Sequence, residues 1–144
     1  MLGRFLVGLG AGALFLVLDG IVNANPLART LYAAYQPIAR GSVNALAGSA
    51  VDLAYGVILA WLFVTLRASL PGHTSLLKGV SFGLMVWFLR VVMRVAGEWV
   101  VTTVPASTHA YTLASGLVQV LLVATFIGVL MPEAGARATV WHTE

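Results

Sequence analysis

The chain has 144 residues, 60% of them hydrophobic and only 9% charged, with a formal net charge of +3 and no cysteine. Soluble domains carry roughly a quarter charged residues, so this composition, with a mean hydropathy of +0.95, belongs to the membrane class. The charge is too small and too scattered for nucleic-acid binding, and the missing cysteines exclude disulfides, thiolate metal sites and a cysteine nucleophile.

An apolar run of about 20 residues crosses a ~30 Å hydrocarbon core as a helix. The first run covers about 3–22, "GRFLVGLGAGALFLVLDGIV". Its Gly8 and Gly12 stand in GxxxG spacing, which lets two helix backbones approach closely. "GLGAG" is no phosphate loop, because no strand precedes it and no Lys-Ser/Thr follows. Arg4, the run Phe5 to Leu18 and Val22-Asn23-Ala24 resemble a signal peptide, but the run is long and Asp19 falls near its end. A retained helix is the expectation. The connection at 24–43 carries Pro26 and then Leu27, Leu31, Tyr32 and Tyr35. That pattern predicts a short helix in the membrane interface, with a lid over the bundle as its functional alternative.

The second span is predicted at about 44–66, and Pro71-Gly72 separates it from a third at about 79–101. Pro105 precedes and Pro132 follows a fourth at about 108–131, where Ser107 or Thr108 is the candidate cap. The tail after Pro132 is short and polar, and is expected to be poorly ordered. The prediction is therefore an all-α, single-domain bundle of four transmembrane helices. "VILAWLFVTL" and "VLLVATFIGV" align loosely, which permits two tandem helical hairpins. Both termini then share a side with Arg67 and Lys78, facing Arg29 and Arg40 across the membrane, and the positive-inside bias makes that side cytoplasmic.

The third span contains the anomaly. Arg90, Arg94 and Glu98 recur at i, i+4 and i+8, one stripe of a regular helix. An intramembrane charge costs roughly 2.5–3.5 kcal/mol, so such groups face inward and take partners. The opposing face, Phe88, Val92, Val95 and Trp99, reads as a lipid surface. Each other span offers a small or polar stripe. The first has Gly8, Gly12, Phe15, Asp19 and Asn23; the second has Gly48, Ser49, Asp52, Tyr55 and Gly56; the fourth has Thr112, Ser115, Gly116 and Gln119. Asp52 and Arg94 fall roughly 10–12 Å from the same membrane surface. An ion pair from Asp52 to Arg94 or Arg90 is therefore expected, with Asp19, Glu98 and Gln119 completing the cluster. Gly8, Gly12, Gly48, Gly56 and Gly116 are the predicted packing glycines.

His73, His109 and His142 lie in loops, ends or tail, and no spacing suggests zinc or haem. Ser49, Ser81 and Ser115 have no histidine at helical spacing, so neither a hydrolase nor any other enzyme is expected, and no cofactor.

"DGIVN" closing the first helix, the polar connection after it and "AYGVILAWLF" in the second resemble small uncharacterised bacterial integral membrane proteins with four spans. The likeness covers most of the chain and implies the architecture, without an activity. The arginines of the third span are not part of that pattern. The reading that follows is a small accessory or structural subunit of the bacterial inner membrane, packing against other membrane subunits or its own copies within the bilayer. The alternative is a small transporter or channel, ion- or proton-linked, working through the Asp/Arg/Glu cluster. The accessory reading takes the charges as fixing which helix faces which.

Overall fold

A computed structural model describes residues 2–39, 41–42 and 44–131 of the chain. The tail after Pro132, including Arg137, lies outside them, as does Arg40. The described residues are helical, with no strand among them. Helix α1 is Leu2–Ala24, α2 is Pro26–Tyr32 and continues as a 3-10 turn over Ala33–Ile38, and α3 is Ala45–Leu66. Helix α4, Ser75–Trp87, runs through a π-turn at Phe88–Val92 into α5, Met93–Val101, and α6 is Ala106–Leu130. Helices α1, α3, α4 through α5, and α6 are the four membrane spans, each long and apolar enough to cross.

Local chemistry sets the boundaries. The Thr74 hydroxyl accepts from the Leu77 amide at 3.2 Å and starts the third span at Ser75, a full turn before the predicted 79. Pro71-Gly72 makes the turn before it, with Gly72 at φ +125°, which side-chain-bearing residues rarely adopt. The fourth span starts directly after Pro105, and neither Ser107 nor Thr108 caps it. The Thr108 hydroxyl is engaged elsewhere, donating to the Leu31 carbonyl at 3.0 Å.

The spans pair within each half of the chain, first with second and third with fourth, and the first packs on the fourth. The order across the bundle is second, first, fourth, third. Glycines close both pairs. A Cβ on Gly8 would lie 2.8 Å from the Val57 Cα, and one on Gly12 would lie 2.6 Å from the Leu53 Cα. One on Gly56 would overlap the backbone of Gly12. In the second pair, a Cβ on Gly79 would stand 2.9 Å from the Ala124 carbonyl, and one on Gly128 would stand 2.6 Å from the Ser75 carbonyl. Gly116 fits against the Val91 side chain. Gly48 does not take part, for nothing lies near its face. The second pair was missed in the sequence, although Gly79 and Gly83 repeat the spacing of Gly8 and Gly12.

The apolar core fills the half of the bundle nearest the chain ends, the terminal side. Ala11, Leu59, Phe63, Phe82, Val123 and Ile127 are buried there, and Phe63 meets Phe82 edge to face at 5.4 Å. The opposite end, covered by α2 and its 3-10 turn, is the cap side. It is packed differently.

Candidate functional site

On the cap side the first, third and fourth spans and the cap segment line a partly open cavity of ≈ 380 Å³. The first span contributes Phe15, Asp19 and Asn23, the third Arg90 and Arg94, and the fourth Thr112, Ser115 and Gln119, with Tyr32 and Tyr35 above. Four of the six predicted cluster residues, Asp19, Arg90, Arg94 and Gln119, therefore share one wall system. Glu98 reaches it through Arg94, and Asp52 lies outside the lining.

The expected ion pair from Asp52 is absent: among the described residues, neither Arg90 nor Arg94 pairs with it. The Arg90 guanidinium instead lies 4.7 Å from the Phe15 ring centroid and 4.1 Å from that of Tyr55. A weakly hydrated planar cation sits well on aromatic faces, and these two rings take it before the carboxylate does. Arg94 pairs within its own helix, Nε to Glu98 Oε1 at 2.8 Å, and 66% of its side chain is exposed. The π-turn separates the two arginines' roles. Met93 donates back to the Phe88 carbonyl across a wide turn, so the residues no longer follow one straight stripe. The face expected to meet lipid also turns: Val95 is buried against the fourth span, while Phe88 and Trp99 remain exposed.

The cap is stitched down by side chains. Asn25 accepts from the Ala28 amide at 2.9 Å, which starts α2, and its own amide donates to the Tyr111 hydroxyl at 2.7 Å. Tyr111 in turn donates to the Val22 carbonyl, and its ring meets Tyr32 edge to face. The Tyr35 hydroxyl donates to Glu98 Oε2 at 2.9 Å. Burial, then this hydrogen bond and the carboxylate's charge, raise the Tyr35 phenol above its ordinary value. Tyr32 and Tyr35 of this segment line the cavity, an arrangement that fits a helix in the interface as well as a lid. Asn25 and Tyr111 escaped the sequence reading; the Asn-Pro step ahead of α2 was the available signal.

Across the cavity, among the described residues, the Asp19 carboxylate has one weak side-chain contact, from Gln119 Nε2 at 3.5 Å. The Ser115 and Thr112 hydroxyls donate to carbonyls of their own helix, leaving lone pairs toward the cavity. His109 is buried to 3% exposure against Trp99, with both ring nitrogens unpartnered. The apolar groove beside it, between third and fourth spans, is lined by Val92, Val95, Trp99 and Leu113 among others. Among the described residues no group of three or more His, Cys, Asp or Glu side chains is placed to hold a metal ion.

No protein-family model, curated protein or solved structure matches the chain.

Proposed function

We propose that the protein is a small transporter of the bacterial inner membrane that carries a polar solute through the cap-side cavity, with both termini cytoplasmic. One observation carries this reading: a polar cavity within the membrane span holds Arg90, which no carboxylate neutralises by direct contact among the described residues. A guanidinium kept in such a place at a cost of a few kcal/mol needs either water or a ligand. The π-turn at Arg90 adds support, because such turns recur at functional sites. The kinship with small bacterial four-span proteins and the absence of catalysis belong to the same proposal.

The chain lacks cysteine, so Ser115→Cys places a single reporter in the cavity wall. A membrane-impermeant thiol reagent should label it from the cap side and, in inverted vesicles, from the terminal side. Val118→Cys, on an exposed face of the same span, should react only with a lipid-soluble reagent. A Ser115→Cys chain that resists labelling from both sides would overturn the solute reading, and labelling from the cap side alone would overturn transport.

The accessory-subunit reading has one observation of its own, the exposure of Arg94 on a membrane-embedded helix. A partner carboxylate meeting it would show as a stoichiometric companion in mild-detergent purification, lost in Arg94→Gln.

A further inference from the structure

We infer that the cavity is built for a zwitterion, a ligand joining an anionic phosphate or carboxylate to a primary ammonium group. This rests on the reading that the cavity holds a polar solute. Two charges of opposite sign face it without neutralising one another. The Arg90 guanidinium carbon lies over the Phe15 and Tyr55 rings, and among the described residues no carboxylate is within ion-pair distance of it, so its N–H donors remain for a forked contact with an oxyanion. Arg94 is already neutralised by Glu98, so the cavity presents one net cation from the third span. Asp19, on the first span, lines the same space. Its carboxylate offers about four acceptor positions and, among the described residues, uses one, weakly, for Gln119.

Single-charge ligands fit this arrangement poorly. A simple anion would sit beside Asp19 and a simple cation beside Arg90, each repelled in a poorly screened medium. A ligand with both groups satisfies both walls, with its ammonium under the Tyr32 and Tyr35 rings that roof the cavity. The ≈ 380 Å³ volume holds a small amino acid or a phosphoethanolamine group and excludes a whole phospholipid. A lipid would have to leave its chains outside, on the flank where Arg90 is exposed.

The test uses the full chain with Ser115→Cys, in nanodiscs of phosphatidylcholine and phosphatidylglycerol, and reads the rate of labelling by an impermeant thiol reagent. Glycine and phosphoethanolamine should slow labelling, whereas ethanolamine alone and inorganic phosphate alone should not. Asp19→Asn and Arg90→Gln should each raise the concentration needed for half protection at least ~10-fold, the loss of one charge-assisted contact. Asp19→Asn changes shape so little that it keeps the test valid should Arg90→Gln fail to fold. Protection that appears only when phosphatidylethanolamine is added to the disc assigns the same chemistry to a lipid headgroup. Equal protection by phosphate alone, or labelling at full rate whatever is added, overturns the zwitterion. In the second case the labelling itself leaves the solute reading standing. A cysteine that never reacts takes both down.

Discussion

The two ends of the bundle solve the same problem in opposite ways. On the terminal side, glycines bring helix backbones into contact and Phe63, Phe82 and Ile127 fill what is left. On the cap side the first, third and fourth spans line a cavity with polar side chains, and contact passes through Tyr35, Glu98, Asn25 and Tyr111. In lipid there is no hydrophobic drive to bring helices together, so close packing and hydrogen bonds must do it. The terminal side uses the first and the cap side the second. A membrane protein can thus keep a rigid, closed end while leaving the other end open for chemistry.

The largest effect should come from filling the mid-span glycine contact between the first two spans. Gly56→Ala sets a methyl group into the backbone of Gly12, and the first two spans must part to admit it. The expected loss is about 3 kcal/mol, the upper part of the overpacking range. Gly48→Ala, where nothing is near, should lose nothing and gain up to ~1 kcal/mol of helix propensity. Reversible unfolding in mixed detergent micelles measures both. Equal losses at the two positions would remove the contrast between a packed glycine and an idle one.

Next in size is the open end. Arg90→Met removes a charge that no carboxylate contacts and leaves an apolar side chain against Phe15 and Tyr55. Lost cation–π attraction and relieved desolvation oppose one another, so stability should move by less than ~1 kcal/mol. Water access should fall instead, read as slower labelling of Ser115→Cys. A loss of several kcal/mol would make Arg90 a structural post, and the ends of the bundle would no longer differ in kind.

How far the sequence foretold this contrast depends on which interaction decided each feature. The four spans were legible because length and apolarity alone determine them. The Gly8–Gly12 contact was legible from spacing, and the Gly79–Gly128 contact carried a similar signal that the polar stripe of the third span obscured. Asp52 was assigned to an arginine by depth along a regular helix. No proline marks the π-turn at Phe88–Val92, and aromatic faces competing for Arg90 leave no periodic trace. The site's membership was largely readable; its pairings, which depend on a few ångströms of helix rotation, were not.

The cap can be loosened without touching the bundle. Glu98→Gln weakens the grip on both Tyr35 and Arg94, through a part-buried hydrogen bond and an ion pair whose arginine is exposed. The expected cost is about 1 kcal/mol, because a neutral amide can still accept from Tyr35 and the pair with Arg94 is screened. It should appear as faster amide hydrogen exchange in 26–38 with exchange in the spans unchanged. Faster exchange throughout would mean that the two ends are one cooperative unit.

The smallest effect is one of pH, and its sign follows from Tyr35. Its phenol is raised above the ordinary value of 10.0 when the cap is seated on Glu98. Below that value the phenol is protonated whether the cap is seated or free, so the contact should be constant through neutral pH. Above it the free phenol ionises first, which draws the equilibrium toward the open cap, and the contact is lost as pH climbs through the raised value. Exchange in 26–38, corrected for its intrinsic base catalysis, should stay level at neutral pH and then rise in the alkaline range. Tyr35→Phe should flatten that rise while leaving Tyr32 and its contact with Tyr111 in place. If exchange climbs already near neutral pH, or climbs equally in Tyr35→Phe, the hydroxyl is not what holds the cap to the third span.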